Sequence, residues 1–221
     1  MTRRQTPGPA PGAPAGLRER KKRRTREALL RAALRLFAAQ GYDRTTVDEI
    51  ADAVEVSQRT FFRYFANKEA AAFAVQDAIE ARFLVELRQR PAAETPFEAM
   101  RRSILIAWNT VPEAVGSDEA AELRIRTYRM IESTPALLAA HMRRSVGLER
   151  QATLVIAERE GLDPEADPRP RVAVAVFAGV MRLTGQLWSG RRDGDLEALR
   201  ELTELHLDHL GPALSEKWRT P

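Results

Sequence analysis

The chain has 221 residues, no cysteine and a formal net charge of +4. Its length suits one small domain and one larger domain, and a hydrophobic content of 44% is enough to bury a core. The absence of cysteine excludes disulfides, thiolate catalysis and zinc–thiolate sites, and a reducing cytoplasm is the expected setting.

The positive charge is concentrated near the N-terminus. Residues 1–68 hold 15 Lys or Arg against 7 Asp or Glu, whereas residues 69–221 hold 20 against 24. A polyanionic partner is therefore expected for the first third of the chain. The longest apolar run, Val172 to Met181, is far shorter than the ~20 residues that span a bilayer, and the N-terminus lacks the apolar segment of a signal peptide. No membrane partner is predicted.

Residues 1–22 are predicted to be a disordered basic arm. Residues 1–16 are rich in Pro, Gly and Ala, and seven of the ten residues from Leu17 to Arg26 are basic. Such an arm can grip phosphates or enter the minor groove, although a solvated tail with only non-specific affinity is the favoured alternative. The first helix is predicted from about Arg24 to Gln40, with Gly41 as its stop signal.

Two short helices joined by a tight turn are predicted next. Thr46 and Glu49 have the spacing of a capping box, in which a hydroxyl and a carboxylate satisfy free N–H groups at a helix start. Ser57 is a good N-cap for the second helix, and Phe61 and Phe65 lie one turn apart on its inward side. The opposite, outward arc is polar and basic.

This outward arc suits base reading. Gln and Arg make bidentate contacts with purine edges in the major groove, and an exposed Phe can pack on a thymine methyl. Hydroxyls at the margin more often meet phosphate, and a lysine in the first turn of the next helix adds a cation to the positive end of a helix dipole. The predicted DNA-contacting residues are Thr46, Ser57, Gln58, Arg59, Thr60, Phe62, Arg63, Tyr64 and Lys68.

Four motifs occur in order here: the run LRLFAAQGYDRTTVDEIA, the Ser57 cap, the run TFFRYF and the tetrad NKEA. With them, the segment from about Arg23 to Phe73 resembles the DNA-binding domain of the TetR family of bacterial transcriptional regulators. The resemblance implies an all-helical homodimer that binds a palindromic operator in double-stranded DNA and senses a ligand with its C-terminal domain. Glu55 stands where the family usually has glycine, and a slightly altered turn is expected because a non-glycine residue at positive φ costs about 1 kcal/mol.

Every periodic stretch beyond Lys68 predicts a helix, over residues 68–89, 96–110, 118–132, 135–161, 170–189 and 195–210. The predicted fold is therefore all-α with about nine helices. A three-helix DNA-binding domain over residues 23–68 precedes a larger ligand-binding and dimerisation domain over residues 69–221.

The last two predicted helices carry apolar surface that suits a dimer interface. By resemblance, they pair with their counterparts in a four-helix arrangement. The alternative is that they only complete the core of one protomer. The predicted interface residues are Val176, Val180, Leu183, Leu187, Trp188, Leu199, Leu202 and Leu205.

Ligand contacts are predicted on the middle helices, where aromatic and polar-tipped side chains occur, although ordinary core packing is the favoured alternative for any single one of them. The stretch RTYRMIESTPALLAAHMRR resembles actinobacterial regulators with pockets for acyl-CoA-like ligands, which implies an effector of that kind. The candidate residues are Met100, Ile104, Trp108, Tyr128, His141, Met142 and Phe177.

No catalytic residue, metal site or cofactor is predicted. None of the three histidines has a nucleophile or an acidic partner at a recognised spacing, and the pair His206 and His209 lacks a third metal ligand. The sequence therefore predicts a cytoplasmic regulator, associated with the nucleoid when bound to DNA. It is expected to be a repressor released by a small hydrophobic or acyl-CoA-like effector; the alternative is a ligand-independent regulator controlled by a protein partner or by abundance.

Overall fold

The computed structural model describes residues 16–109, 120–191 and 196–215, and within these ranges it contains nine α-helices and no strand. The helices confirm the predicted all-α fold. Helix α4 begins and ends at the predicted residues. The bounds are α1 Leu17–Gln40, α2 Val47–Asp52, α3 Gln58–Phe62, α4 Lys68–Gln89, α5 Pro96–Trp108, α6 Ala120–Ser133, α7 Pro135–Glu160, α8 Arg169–Gly190 and α9 Leu196–Leu214.

Helix α1 is longer than predicted. It begins at Leu17, so residues 17–22, which were expected to belong to the disordered arm, form its first turns. Leu, Arg, Lys and Glu are all good helix formers, and an ion pair between Arg23 and Glu27 joins successive turns. The basic side chains from Arg18 to Arg24 are exposed along this helix. The remainder of the predicted arm, residues 1–15, lies outside the described residues.

One apolar core joins the first four helices to the larger domain. Leu30, Leu34 and Phe37 of α1 are buried in it. The core continues through the first turns of α4 and reaches Ile131 of α6 and Leu137 of α7. The helix-turn-helix segment is therefore packed directly against the helices of the larger domain.

Helix α8 is the apolar helix of the larger domain. Among the described helices, α8 alone has the length and the apolar composition that crossing a membrane requires. The core helix of a soluble protein can have the same length and composition. Helix α8 packs between α7 and α9, and it buries Phe177 and Trp188. Its other face leaves Val172, Leu183 and Leu187 exposed, so part of its apolar surface is uncovered in the protomer.

Candidate nucleic-acid interface and ligand cavity

Side-chain caps fix the helix starts in the helix-turn-helix segment. The Glu49 N–H donates to the Thr46 hydroxyl at 3.2 Å, and the Thr46 N–H donates to the Glu49 carboxylate at 2.8 Å, which confirms the capping box. The Thr60 N–H donates to Ser57 Oγ at 3.2 Å, and Asn67 caps α4 in the same way. Each such cap contributes about 1 kcal/mol to helix stability.

The turn between α2 and α3 keeps its hydrogen bonds despite the unusual residue in it. Glu55 has φ +55°, in the left-handed region. Its N–H donates to the Asp52 carbonyl at 3.0 Å, and the Val56 N–H donates to the Ala51 carbonyl at 3.0 Å. The left-handed conformation of Glu55 costs about 1 kcal/mol. Helix α3 nevertheless begins directly after Ser57, the N-cap that the sequence predicts.

Helix α3 turns one aromatic residue inward and a polar face outward. Phe61 is fully buried, whereas the adjacent Phe62 is 49% exposed. Arg59, Thr60, Phe62 and Arg63 surround one shallow surface depression, and Gln58 is exposed beside them. The cap residues Thr46 and Ser57 are also exposed, and Tyr64 is partly buried. The structure thus brings the predicted base-reading side chains together on one accessible surface.

Two arginines on this surface have charges that no carboxylate neutralises. Within the described part of the chain, neither Arg59 nor Arg63 forms an ion pair. The Arg63 guanidinium donates to the Tyr64 hydroxyl at 3.3 Å and lies 5.0 Å from the centroid of the Tyr64 ring. Guanidinium groups that form no ion pair on an exposed helix suit both phosphates and guanine edges.

Lys68 occupies a more enclosed position. Its Nζ donates to the carbonyl oxygens of Tyr42 at 2.9 Å, Thr45 at 3.1 Å and Asp43 at 3.3 Å. An ammonium has three N–H donors, so these carbonyls use all of them. Lys68 therefore holds the loop between α1 and α2. The phosphate contact predicted from the sequence would have to compete with these bonds.

We expect Lys68→Ala to lower the free energy of unfolding by about 1–3 kcal/mol, because three carbonyls lose a charged donor. Chemical denaturation measures this loss, and Lys22→Ala, which removes an exposed cation of α1, is the control. The salt dependence of DNA binding should stay unchanged. If the slope of log K against log salt were instead about 0.9 less steep for Lys68→Ala than for the wild type, the result would support the phosphate contact.

A cavity of about 240 Å³ lies between the helices of the larger domain. Leu34 and Val75, which belong to the N-terminal core, also line it. Met142 does not line it and is exposed. The other six candidate ligand residues do line the cavity: Met100, Ile104, Trp108, Tyr128, His141 and Phe177.

The sequence predictions missed the side of the cavity that α4 forms. Gln76, Ile79, Glu80 and Phe83 line it at helical spacing. That spacing marks one face of a helix, but it does not show that the face meets a cavity. Burial raises the pKa of the Glu80 carboxyl above its ordinary value.

Two residues predicted for the dimer interface lie inside the protomer instead. Trp188 and Leu199 are only 3% and 6% exposed, and both line the cavity. They cannot contact a second protomer, because their own chain already covers them. Leu183, Leu187 and Leu205 are exposed, and Val176, Val180 and Leu202 are partly buried.

Neutral polar groups occupy one end of the cavity. The Tyr128 ring packs edge-on against His141 and Trp188, with 6.2 Å between centroids in both pairs. A Cβ added at Gly185 would collide with the Tyr128 hydroxyl, so only glycine permits this approach to α8. Burial raises the pKa of Tyr128 and lowers the pKa of His141, which keeps both side chains uncharged at neutral pH.

An N-terminal segment and a C-terminal segment of the chain match families of regulatory proteins. Residues 29–75 match the family described as bacterial regulatory proteins, tetR family, and residues 94–214 match the MftR C-terminal domain. The HTH-type transcriptional regulator TcmR of Streptomyces glaucescens is 47% identical over 206 residues, which are 93% of this chain and 91% of TcmR. The regulator MftR of Mycobacterium tuberculosis is 30% identical over 157 residues, 71% of this chain and 75% of MftR. The crystal structure of a transcriptional regulator from Aquifex aeolicus VF5 shares the fold, with a TM-score of 0.54 and 16% identity over 86% of this chain and 99% of that one.

Proposed function

We propose, given that the chain belongs to the TetR family of bacterial transcriptional regulators, that it represses transcription from a palindromic operator until a small hydrophobic effector binds. The family consists of DNA-binding regulators and not of enzymes. The observation that carries the proposal is the cavity, because Leu34 and Val75 of the N-terminal core line it together with residues of the larger domain. The protein would act in the cytoplasm, on the nucleoid when bound to DNA.

The exposed face of α3 is the proposed reader of the operator. Gln58, Arg59 and Arg63 have the side chains that recognise purine edges in the major groove, and Phe62 can meet a thymine methyl. The exposed hydroxyls of the caps lie beside this face and suit phosphate contacts, which position a protein on DNA without reading sequence.

The exposed leucines of the last two helices support a dimer. Leu183 and Leu187 of α8 and Leu205 of α9 present apolar side chains that the protomer does not cover. Pairing of α8 and α9 with their counterparts would cover them and place two copies of α3 on one face of DNA. A symmetric dimer reads an operator with matching half-sites, which is why a palindrome is proposed.

Effector control follows from the shared packing of α1 and α4. A ligand in the cavity would contact Leu34 of α1 and Val75 of α4, and both residues also pack against the helix-turn-helix core. A ligand that fits only one arrangement of these helices shifts the population towards it. The two copies of α3 then no longer match the spacing of the half-sites.

We expect a bulky residue in the cavity to abolish the effector response. Ala178 lines the cavity, so Ala178→Trp should fill it, whereas Leu154→Trp changes an exposed position of α7. The probes are 4-phenylbutan-1-ol, as a small hydrophobic molecule, and octanoyl-CoA, as an acyl-CoA. A ligand at 100 times its Kd should raise the free energy of unfolding of the wild type by about 2.7 kcal/mol, which raises its melting temperature. The same ligand should release operator DNA.

In that experiment, Leu154→Trp should respond as the wild type does and Ala178→Trp should not. Equal responses from both variants would place the effector elsewhere. A wild type that neither probe stabilises or releases from DNA would favour the alternative in which a protein partner or abundance controls the regulator.

A further inference from the structure

The cavity has an acidic middle. Glu80 of α4 and Glu149 of α7 both line it, and within the described residues neither carboxylate has a hydrogen-bond or ion-pair partner. Two contacts between α4 and α7 bracket these residues, the ion pair of Asp77 with Arg144 and the bond from Arg159 to the Leu87 carbonyl. Each of the two glutamates therefore lies between these contacts on its own helix, in the part of α4 and α7 that faces the cavity.

Two residues that line the cavity each have a further polar atom that is buried without a partner. Oε1 of Gln76 and Nδ1 of His141 have no hydrogen bond in the described structure, and both residues line the same space. Gln Oε1 and an ionised carboxylate only accept hydrogen bonds, and a neutral imidazole has one accepting nitrogen. The two carboxylates are therefore acceptors without a donor, and they call for a ligand rich in donors.

The other end of the cavity is apolar and aromatic. The rings of Phe83 and Phe177 are stacked, with 6.2 Å between their centroids, and Met100 and Val174 lie in the same apolar cluster. This cluster can cover the hydrocarbon or aromatic body of a ligand. Aromatic faces also attract a nearby cation.

We propose that the effector is a cationic amphiphile, an amine whose ammonium group binds Glu80 and Glu149 while its apolar body lies against Phe83 and Phe177. The inference rests on the proposed function, in which this cavity is the effector site. An ammonium has three donors and no acceptor, which matches a space lined by acceptors. An anionic effector would instead meet two unneutralised carboxylates.

Arg182 is the one arginine or lysine among the described residues that line the cavity. Its side chain is exposed, and its charge acts on Tyr128 and His141, where the charge of Glu132 opposes it. Solvent screens an exposed guanidinium more strongly than it screens partly buried carboxylates. Arg182 therefore leaves the middle of the cavity acidic.

Three probes of similar size test the charge preference: 4-phenylbutylamine, 4-phenylbutan-1-ol and 4-phenylbutyrate, titrated calorimetrically into the full-length protein at pH 7. The amine is expected to bind about 10-fold more tightly than the alcohol, and the carboxylate most weakly. The double variant Glu80→Gln with Glu149→Gln should lose this preference and keep its affinity for the alcohol. Glu158→Gln, on the exposed side of α7, is the matched control and should behave as the wild type.

Alcohol binding by the double variant also shows that the variant is folded. An alcohol that binds the wild type as tightly as the amine does, or an amine preference that survives in the double variant, would overturn the inference. In both cases the proposed function would stand if the alcohol still released operator DNA. Failure of all three probes to bind would overturn the inference, and the response of operator binding to octanoyl-CoA would then decide the proposed function separately.

Discussion

Replacing Arg59 and Arg63 together by alanine is expected to weaken operator binding about 100-fold at physiological salt. Both guanidinium groups lie on the exposed face of α3, and neither forms an ion pair in the described part of the chain. A bidentate contact between arginine and guanine contributes about 1–3 kcal/mol, so the loss of two such contacts accounts for an effect of this size. Fluorescence anisotropy with an operator duplex and a scrambled duplex measures it.

A charge-matched variant separates the role of α3 from that of net charge. Arg143 and Arg150 are exposed on α7, far along the chain from the helix-turn-helix segment, and their double alanine variant removes the same charge. It should bind the operator nearly as the wild type does. Equal losses from the two double variants would mean that α3 does not read the DNA.

The second large effect concerns the core behind this surface. Phe61→Ala is expected to lower the free energy of unfolding by about 3–5 kcal/mol, because truncation of a fully buried phenylalanine leaves a cavity. The Phe61 ring packs against Phe65 at 5.4 Å between centroids and meets the edge of Phe62 at 5.6 Å. Chemical denaturation measures the loss.

Its neighbour Phe62 provides the control. Phe62→Ala should change the free energy of unfolding by less than about 1 kcal/mol, because the ring is 49% exposed, yet it should weaken operator binding. If Phe62→Ala destabilised the protein as strongly as Phe61→Ala, the outward ring would belong to the core and its proposed contact with DNA would be wrong.

The helix-turn-helix segment was predictable because its signals are local. Thr46 with Glu49 and Ser57 with Thr60 form caps within four residues of chain, and the structure confirms both. The start of α1 was not predicted, since the rule that assigns a run of basic residues to a solvated arm ignores the high helix propensity of arginine and lysine. A run of arginine and lysine is compatible both with a solvated arm and with a helix, and the structure shows that residues 17–22 are helical.

The cavity and the dimer surface depend on packing between distant segments, which periodicity does not report. The pattern of α8 and α9 shows which positions are apolar, but it does not show that Trp188 and Leu199 are covered by their own chain while Leu187 and Leu205 are not. Glu80 was missed for a related reason, because an acidic residue on a helix is usually solvated. Only the packing of α4 against α7 and α8 shows that it faces a cavity.

The central claim is that a dimer binds DNA sequence-specifically. Recovery and sequencing of the genomic fragments that the purified protein binds tests this claim most directly. The experiment is done at physiological salt, because non-specific phosphate binding is then suppressed. The Arg59→Ala and Arg63→Ala double variant is processed in parallel. We expect the wild type to enrich a few sites that share an inverted repeat, with half-site centres separated by about 10 base pairs or a multiple of that spacing, and the double variant to lose them. Fragments without a common motif, recovered equally by both proteins, would contradict the account.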